Sequence, residues 1–127
     1  MPYKAHDETC PKFKPTATLS GYVKLPAYSA AALESALATT GVVAVNVAAN
    51  WMHYGGGIFS GGCSAESSCT IDHVVVATGY QKDVPVLGGG YWLIRNSWGD
   101  QWGEKVRFVD AGTPLMQDLL VSADLID

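Results

Sequence analysis

Two nearly continuous runs of β-branched and small apolar residues dominate the middle of the chain and restrict the folds that it can adopt. The first, 42–47, lies in "VVAVNVAA", and the second, 74–76, lies in "IDHVVVATGY", which predicts a strand over 71–80. Val and Ile favour β-strands, and an apolar run without polar alternation is typical of a strand that is buried on both faces. A third β-rich run, "YWLIRNSW", follows at 91–98. We therefore predict a sheet whose central strands are covered on both sides.

Shorter elements add to this sheet and supply one helix. "GYVKLP" at 21–26 and "KVRFVD" at 105–110 have the composition of short strands. "SAAALESALATTG" predicts a helix at about 30–39, because Ser29 is a good N-cap and Gly41 can end the helix. The fold class predicted from these elements is α+β, mostly antiparallel β with one short helix.

No linker or internal repeat divides the 127 residues, so we expect a single domain over 1–127. Its last part, 110–127, carries apolar residues at helix-like spacing. We predict a helix over 115–123 that either packs in the core or folds back on an exposed surface.

Composition excludes two classes of partner. The net charge is −4 and only 8 residues are Lys or Arg, without a cluster, so we expect no binding to nucleic acid. No apolar run approaches the roughly 20 residues of a membrane span, and we expect none. The start, "MPYKAHDETC", is polar and predicts no signal peptide in this chain.

The best candidate for chemistry is the pair His73 and Asn96. In a hairpin whose loop spans 81–90, these residues lie within a position or two of direct opposition, so their side chains point to the same face. The Asn96 carbonyl oxygen can then accept the imidazole N–H, which fixes the orientation and tautomer of the ring without adding a negative charge. The other ring nitrogen stays free to act on a nucleophile. Trp98 is placed to cover this hydrogen bond and exclude water.

A purely structural interpretation accounts for the same residue types. Asn96 can end a strand, His73 can be a half-buried polar residue, and Asp72 can form a local salt bridge. Pattern alone is compatible with both interpretations.

The motifs around these residues resemble a known family. "IDHVVVATGY" followed by "YWLIRNSWGDQWGE" is similar to the histidine and asparagine motifs of the papain-like cysteine peptidases, the cathepsin family. Upstream, "PYKAHDETC" and "YGGGIFSGGC" are similar to segments that precede the histidine in that family. The resemblance extends over about residues 2–109 and implies the family's C-terminal, barrel-like β half.

Residue by residue, the resemblance implies roles for the candidate site. His73 matches the catalytic histidine and Asn96 its orienting amide. Trp98 matches the tryptophan that shields this pair, and Trp102 a neighbouring aromatic of the same wall. Asn46, Asp72 and Val74 match positions at the substrate-binding side, where Asn46 and Val74 would line the pocket for an apolar substrate side chain.

The resemblance also implies a missing component. The family's nucleophile lies in a C-G-[SA]-C-[WY] element, and none of the three cysteines here lies in such an element. We expect the isolated chain to be inactive, with a Cys-bearing helical half or another protein chain as its partner and a peptide as substrate once assembled. The family's compartments are lysosomal, vacuolar or extracellular. The alternative function is a non-catalytic papain-like domain that acts as a binding or structural subunit.

The cysteines allow two further interpretations. Cys63 and Cys69 in "CSAESSC" can form a local disulfide, which would leave Cys10 unpaired. The same two residues with His73 could bind a metal, but their spacing is not a standard zinc pattern. We predict no metal and no cofactor.

Overall fold

The computed structural model describes residues 6–9, 11–12, 14–27, 29–59, 70–84, 89–105, 107–110 and 118–122. Within them the chain forms one helix and seven strands. In chain order these are β1 (Tyr22–Lys24), α1 (Ala30–Thr39), β2 (Val43–Val47), β3 (Ile58–Phe59), β4 (His73–Val84), β5 (Gly89–Arg95), β6 (Arg107–Asp110) and β7 (Asp118–Ser122).

The seven strands form one sheet in the order β1-β7-β2-β4-β5-β6-β3. Every pairing is antiparallel except that of β3 with β6, which is parallel. The predicted class, a mostly antiparallel α+β fold with one short helix, is confirmed. The long β4–β5 hairpin lies at the centre and carries the candidate site at one end.

Helix α1 begins and ends where the sequence predicts. The Ser29 hydroxyl accepts a hydrogen bond from the backbone N–H of Ala32 at 3.2 Å, which satisfies one of the free donors of the first turn. Gly41 has a φ of 101°, a conformation that favours glycine and turns the chain out of the helix. The helix buries Leu33 and Ala36 against the sheet.

An ion pair fixes α1 to the far end of β4. The ammonium of Lys82 contacts the Glu34 carboxylate, and this hydrogen bond is the main reason that the pKa of Lys82 is raised above its ordinary value of 10.5. Lys82 also lies over the Tyr80 ring, 5.6 Å from its centroid. Because Lys82 is exposed, this contact positions α1 against β4 but contributes little to the stability of the fold.

One face of the sheet carries the core. Alternate residues of the central strands are buried there beneath α1, as expected from the two-residue period of a strand. The buried apolar residues are Leu33, Ala36, Val43, Val45, Val47, Trp51, Val75, Ala77, Trp92 and Ile94.

The opposite face differs from the prediction. Val74 is 57% exposed, and Ala44, Asn46 and Val76 are only partly buried. The prediction that the β-branched strands are covered on both faces is therefore wrong, because the helix among the described residues packs with Leu33 and Ala36 on the other face. We call this second surface the open face and define it by Ala44, Asn46, Val74, Val76, Arg95 and Arg107.

The hairpin register agrees with the prediction near the site and shifts further along. Val76 pairs with Arg95 and Ala77 with Ile94, as expected. An irregularity between Ala77 and Gly79 then moves the pairing by one residue. Strand β4 also continues to Val84, into the segment 81–90 that was predicted to be a loop.

The tail prediction is wrong. Over 118–122, the part of the tail that the structure describes, the expected helix is replaced by β7, which pairs with both β1 and β2. Leu and Val at consecutive positions suit an extended strand between two partners, and tertiary pairing overrides the helical spacing. The Gly-rich segment that begins at Gly55 leads into the short strand β3. In the described part of the chain, no helix is long and apolar enough to span a membrane.

Candidate active site

His73 is the first residue of β4, and Asn96 directly follows β5. When the register of Val76 with Arg95 is extended by one residue, Asn96 lies opposite Val75 and diagonal to His73. Diagonal neighbours on an antiparallel pair are close enough for long side chains to touch. The two side chains do meet: Nε2 of His73 and Oδ1 of Asn96 are 2.8 Å apart.

The orientation of the Asn96 amide is fixed by its neighbour. The backbone N–H of Ser97 donates to the same Asn96 atom, Oδ1, at 2.8 Å. A backbone N–H can only donate, so the atom that it meets must be the amide oxygen rather than the nitrogen. Oδ1 therefore accepts two hydrogen bonds, one from Ser97 and one from the imidazole.

This arrangement determines the tautomer of the neutral imidazole. Because Oδ1 of Asn96 is an acceptor, Nε2 of His73 must carry the proton. The lone pair then lies on Nδ1, the nitrogen on the other side of the ring. A ring held in this way can take a proton at Nδ1 while its orientation stays fixed through Nε2.

Asn96 is buried, with 5% of its surface exposed, although it lies just outside the strand. Trp92, Ile94 and Asn96 lie at every second position, and all three point to the core face. Its Nδ2 group has no hydrogen-bond partner in the described structure. An unpaired buried amide N–H is costly. The position therefore suits a hydrogen-bonding role for the oxygen better than it suits packing.

Aromatic rings enclose the imidazole. The Trp98 ring stacks on His73 with centroids 5.2 Å apart and an angle of 28° between the planes. Trp51 lies 5.8 Å from His73 and 5.0 Å from Trp98. Trp102 contacts both tryptophans, at 5.5 Å from Trp51 and 5.0 Å from Trp98. We refer to Trp51, Trp98 and Trp102 as the tryptophan cluster.

The members of the tryptophan cluster differ in how much of their surface is buried. Trp51 is 4% exposed and lies in the core, whereas Trp98 is 37% exposed and covers the imidazole from outside. Sequence reasoning anticipated Trp98 and Trp102 but missed Trp51. The structure supplies the link: Val47 pairs with His73, and Trp51 lies in the loop that follows β2 and folds back to the same end of the sheet.

Hydrogen bonds attach the loop after Asn96 to the loop after β2. The Trp102 indole N–H donates to the backbone carbonyl of Met52 at 2.9 Å. The Glu104 carboxylate accepts the backbone N–H of Gly57 at 2.7 Å. These contacts keep the tryptophan cluster together although its members come from two separate loops.

The three predicted substrate-binding residues occupy different surroundings. Asn46 and Val74 are direct cross-strand partners on the open face, beside His73. Among the described residues, Asp72 has no salt-bridge partner. Its carboxylate accepts the backbone N–H of Ala49 at 2.9 Å, and its own N–H donates to the Val47 carbonyl. Asp72 therefore ties the end of β2 to the start of β4.

The predicted disulfide lies outside the described residues, as do Cys10, Cys63 and Cys69. The possible metal site with His73 involves the same cysteines. In the ranges that the structure describes, no group of three or more His, Cys, Asp or Glu side chains is arranged to hold a metal ion.

An imidazole–amide pair beneath a tryptophan, at the end of a mostly antiparallel sheet, resembles the His–Asn part of the Cys-His-Asn triad of papain-like proteases. Residues 1–110 match the family model described as "Papain family cysteine protease". The chain belongs to this family.

Similar proteins come from insects and plants. The chain is 40% identical over 110 residues to the cathepsin L-like peptidase of Aedes aegypti, covering 82% of this chain and 31% of that protein. It is 37% identical over 108 residues to cysteine proteinase RD21A of Arabidopsis thaliana, covering 81% of this chain and 22% of that protein. The chain thus spans less than a third of the length of these relatives.

Solved structures show the same fold. Digestive procathepsin L 3 of Tenebrio molitor gives a TM-score of 0.78 at 30% identity, covering 97% of this chain and 42% of that one. Bromelain protease from Ananas comosus gives a TM-score of 0.75 at 29% identity, covering 94% and 58%. The structural match therefore corresponds to one part of a papain-like fold.

Proposed function

We propose that this chain supplies the histidine and asparagine of a papain-type active site that hydrolyses peptide bonds. The observation that carries the proposal is the hydrogen bond from Nε2 of His73 to Oδ1 of Asn96, with the amide oriented by the Ser97 N–H. This geometry leaves the Nδ1 lone pair as the base.

The chemistry assigned to the pair follows from that lone pair. Nδ1 of His73 takes the proton of a cysteine thiol, and the resulting thiolate attacks the carbonyl carbon of the scissile bond. The imidazolium then gives the proton to the leaving amine, which leaves an acyl-thioester on the cysteine. His73 next removes a proton from the water that hydrolyses the thioester. Asn96 keeps the ring in place through Nε2 in every step.

The nucleophile comes from outside these 127 residues in this proposal. None of the three cysteines lies in a C-G-[SA]-C-[WY] element, so residues beyond this chain must supply the thiolate. The isolated chain is then inactive, and its partner is a Cys-bearing helical half, in the same polypeptide or in another chain.

The substrate side chain is assigned to the pair Asn46 and Val74. They lie directly opposite each other next to His73, and Val74 is 57% exposed. An apolar substrate side chain would cover Val74, and the removal of both apolar surfaces from water would favour binding. Asp72 supports this corner through its bond to Ala49 rather than through a free carboxylate.

Two protein formats test the proposal. In the first, the part of the Aedes aegypti peptidase that precedes its matched segment is fused to residues 1–127. In the second, the full chain is assayed alone. We expect hydrolysis of a fluorogenic peptide by the fusion and background signal from the chain alone, with His73→Ala abolishing the activity of the fusion.

Controls separate catalysis from folding. Leu33→Ala in the fusion is a core change in α1, away from the site, and should lower the thermal midpoint while retaining hydrolysis. A folded but inactive fusion would contradict the peptidase proposal. His73-dependent hydrolysis by the chain alone would contradict the external nucleophile.

A second candidate function is a non-catalytic papain-like binding subunit. The exposed, partly apolar open face favours it, because uncovered apolar surface marks interaction sites. An inactive but folded fusion, together with a stable complex between the full chain and an unrelated protein, would support this alternative.

A further inference from the structure

A chain of aromatic rings connects the imidazole site with the surface. The ring centroids lie 5.2 Å apart between His73 and Trp98, 5.0 Å apart between Trp98 and Trp102, and 5.7 Å apart between Trp102 and Tyr54. Trp51 lies 5.0 Å from Trp98 and 5.5 Å from Trp102, so it forms a second route between these two. All of these separations are those of aromatic rings in contact.

The indoles and the phenol of this chain share one chemical property. Indole and phenol lose a single electron more readily than the rings of phenylalanine or neutral histidine do. Electron transfer between rings slows steeply with distance, so contact makes it fast. Within the described residues, the next ring beyond Tyr54 is that of Phe59, at 6.4 Å. The oxidisable rings therefore begin at Trp98, against the imidazole, and end at Tyr54.

Tyr54 is suited to be the end of this chain. A phenol that loses an electron also releases its O–H proton, and the resulting neutral radical is more stable at neutral pH than the radical of an indole. The Tyr54 hydroxyl donates a hydrogen bond to the Gly57 carbonyl. The Tyr54 side chain also lines a surface cavity of about 450 Å³, together with the exposed His53. The released proton therefore has a direct route to solvent.

We propose that Trp98, Trp102 and Tyr54 form a one-electron relay that carries oxidising equivalents from the imidazole site to the surface at Tyr54. The oxidant is a one-electron oxidising radical in solution, such as one derived from oxygen, and it reaches Trp98 because this ring is 37% exposed. It takes one electron from Trp98 and is reduced. Trp102 then returns an electron to Trp98, and Tyr54 returns an electron to Trp102 and releases its proton to water. The sum is one reduced oxidant, one neutral tyrosyl radical and one proton, with both indoles restored.

The relay goes beyond peptide hydrolysis and does not depend on it. Its effect falls on the ring that covers the hydrogen bond between His73 and Asn96, because Trp98 is the most exposed tryptophan of the cluster for which the damage would otherwise be permanent. Packing alone would be served equally well by phenylalanine or leucine at these positions. Three indoles followed by a phenol add a path for electrons, which aliphatic side chains do not provide.

The first experiment is pulse radiolysis of the full chain with azide radicals, which oxidise indoles in preference to phenols. The absorption of the tryptophanyl radical should decay while that of the tyrosyl radical grows. The rate should not change with protein concentration, because the transfer takes place within one molecule. Tyr54→Phe keeps the ring and should remove most of this growth. The matched control is Tyr80→Phe, which removes the phenol 6.0 Å from Trp92, outside the chain of rings, and should retain most of the growth.

The path is tested with a second pair of variants. Trp102→Phe keeps an aromatic ring but removes the indole that contacts both Trp98 and Tyr54, so the tyrosyl radical should grow more slowly than in the wild type. Trp92→Phe should leave the rate of growth at Tyr54 unchanged. The thermal midpoint of each variant establishes that it is folded under the conditions of the measurement.

A measurement on the wild type needs no variant. After exposure of the folded chain to oxidising radicals, peptide mass mapping should find the stable oxidation products at Tyr54 in preference to Trp98. The same exposure of the chain unfolded in urea should raise the share of products at Trp98, because the rings are then separated. Tyr54→Phe should have the same effect in the folded chain.

The outcomes separate the relay from the proposed function. Loss of the tyrosyl radical in Tyr54→Phe, together with its retention in Tyr80→Phe, supports the relay whether or not the fusion hydrolyses peptides. The relay is overturned by equal growth in the wild type and in Tyr54→Phe, by a rate that rises with protein concentration, or by products that stay at Trp98 in the folded wild type. Each of these results leaves the proposed function intact, because the fluorogenic assay of the fusion decides it separately.

Discussion

The imidazole of His73 and the amide of Asn96 are joined by a hydrogen bond of 2.8 Å although the two residues lie on a diagonal of the β4–β5 hairpin rather than directly opposite. The bond closes because Asn96 lies just beyond the strand end and is buried, while the Ser97 N–H holds its oxygen toward the ring. One backbone donor thus determines which imidazole nitrogen carries the proton and which keeps its lone pair.

Removing the amide should release the ring. In Asn96→Ala we expect the isolated chain to lose the pure Nε2–H tautomer, because no acceptor then distinguishes the two nitrogens. Nitrogen-15 NMR of labelled histidine measures this directly. In the peptide-hydrolysing fusion the same variant should reduce kcat by roughly 100-fold, the scale expected for a misplaced catalytic group.

The matched control for this prediction is Asn96→Asp. Both carboxylate oxygens can accept, so the Nε2–H tautomer should persist in this variant. If Asn96→Ala leaves the tautomer unchanged, the amide is not what orients His73.

Ser97 allows a sharper test of the backbone donor. Ser97→Pro removes the N–H that orients the amide, whereas Ser97→Ala keeps it. We expect Ser97→Ala to behave like the wild type and Ser97→Pro to give a mixture of tautomers. In an Asn96→Asp background the proline should have little effect on the tautomer, because a carboxylate needs no orientation.

The sequence allowed most of the central fold to be predicted. The boundaries of α1 follow from Ser29 and Gly41, and the β4–β5 pairing follows from loop length near the site. The tail could not be predicted, because β7 is defined by pairing with β1 and β2 and not by its own residue spacing. Local periodicity contains no information about such distant partners.

The site was predictable to a similar extent. His73 and Asn96 were found because a hairpin brings them together at short range along the chain. Trp51 was missed because its contact with His73 depends on how the loop after β2 folds back. The role of Ser97 was missed because it lies in a backbone N–H, and any residue except proline supplies that group.

The loop that carries Trp98 and Trp102 depends on a glycine at 103. Gly103 has a φ of 56°, and a Cβ there would come within 2.7 Å of the Arg107 carbonyl oxygen and 3.1 Å of the Tyr54 ring. Gly99 also has a positive φ, 89°, but a Cβ there meets nothing within 4 Å. We therefore expect Gly103→Ala to lower the free energy of unfolding by more than about 2 kcal/mol, and Gly99→Ala by about 1 kcal/mol.

Urea denaturation of the two variants checks the glycine prediction. Because the Gly103 change displaces backbone, it should also alter the fluorescence of the tryptophan cluster in the folded state. Equal destabilisation by the two substitutions would show that contact with Arg107 and Tyr54 does not constrain the loop.

The last prediction concerns Trp51, which contacts His73, Trp98 and Trp102 at once. The chain offers a matched control in Trp92, which is also buried, at 7% exposed against 4%, but contacts Tyr80 instead of the site. Trp51→Leu and Trp92→Leu should each destabilise the chain by about 3 kcal/mol, because each removes a large buried side chain. The free energy of unfolding therefore does not distinguish the two positions, whereas hydrogen exchange at Nε2 of His73 does.

We expect Trp51→Leu to speed hydrogen exchange at Nε2 of His73, because Trp98 loses the ring against which it packs and no longer shields the bond to Asn96. Trp92→Leu should leave that exchange rate unchanged. Trp51→Phe retains an aromatic ring and should restore most of the protection. If both leucine variants accelerate exchange equally, the protection of His73 reflects global stability, and Trp51 has no specific part in shielding the imidazole.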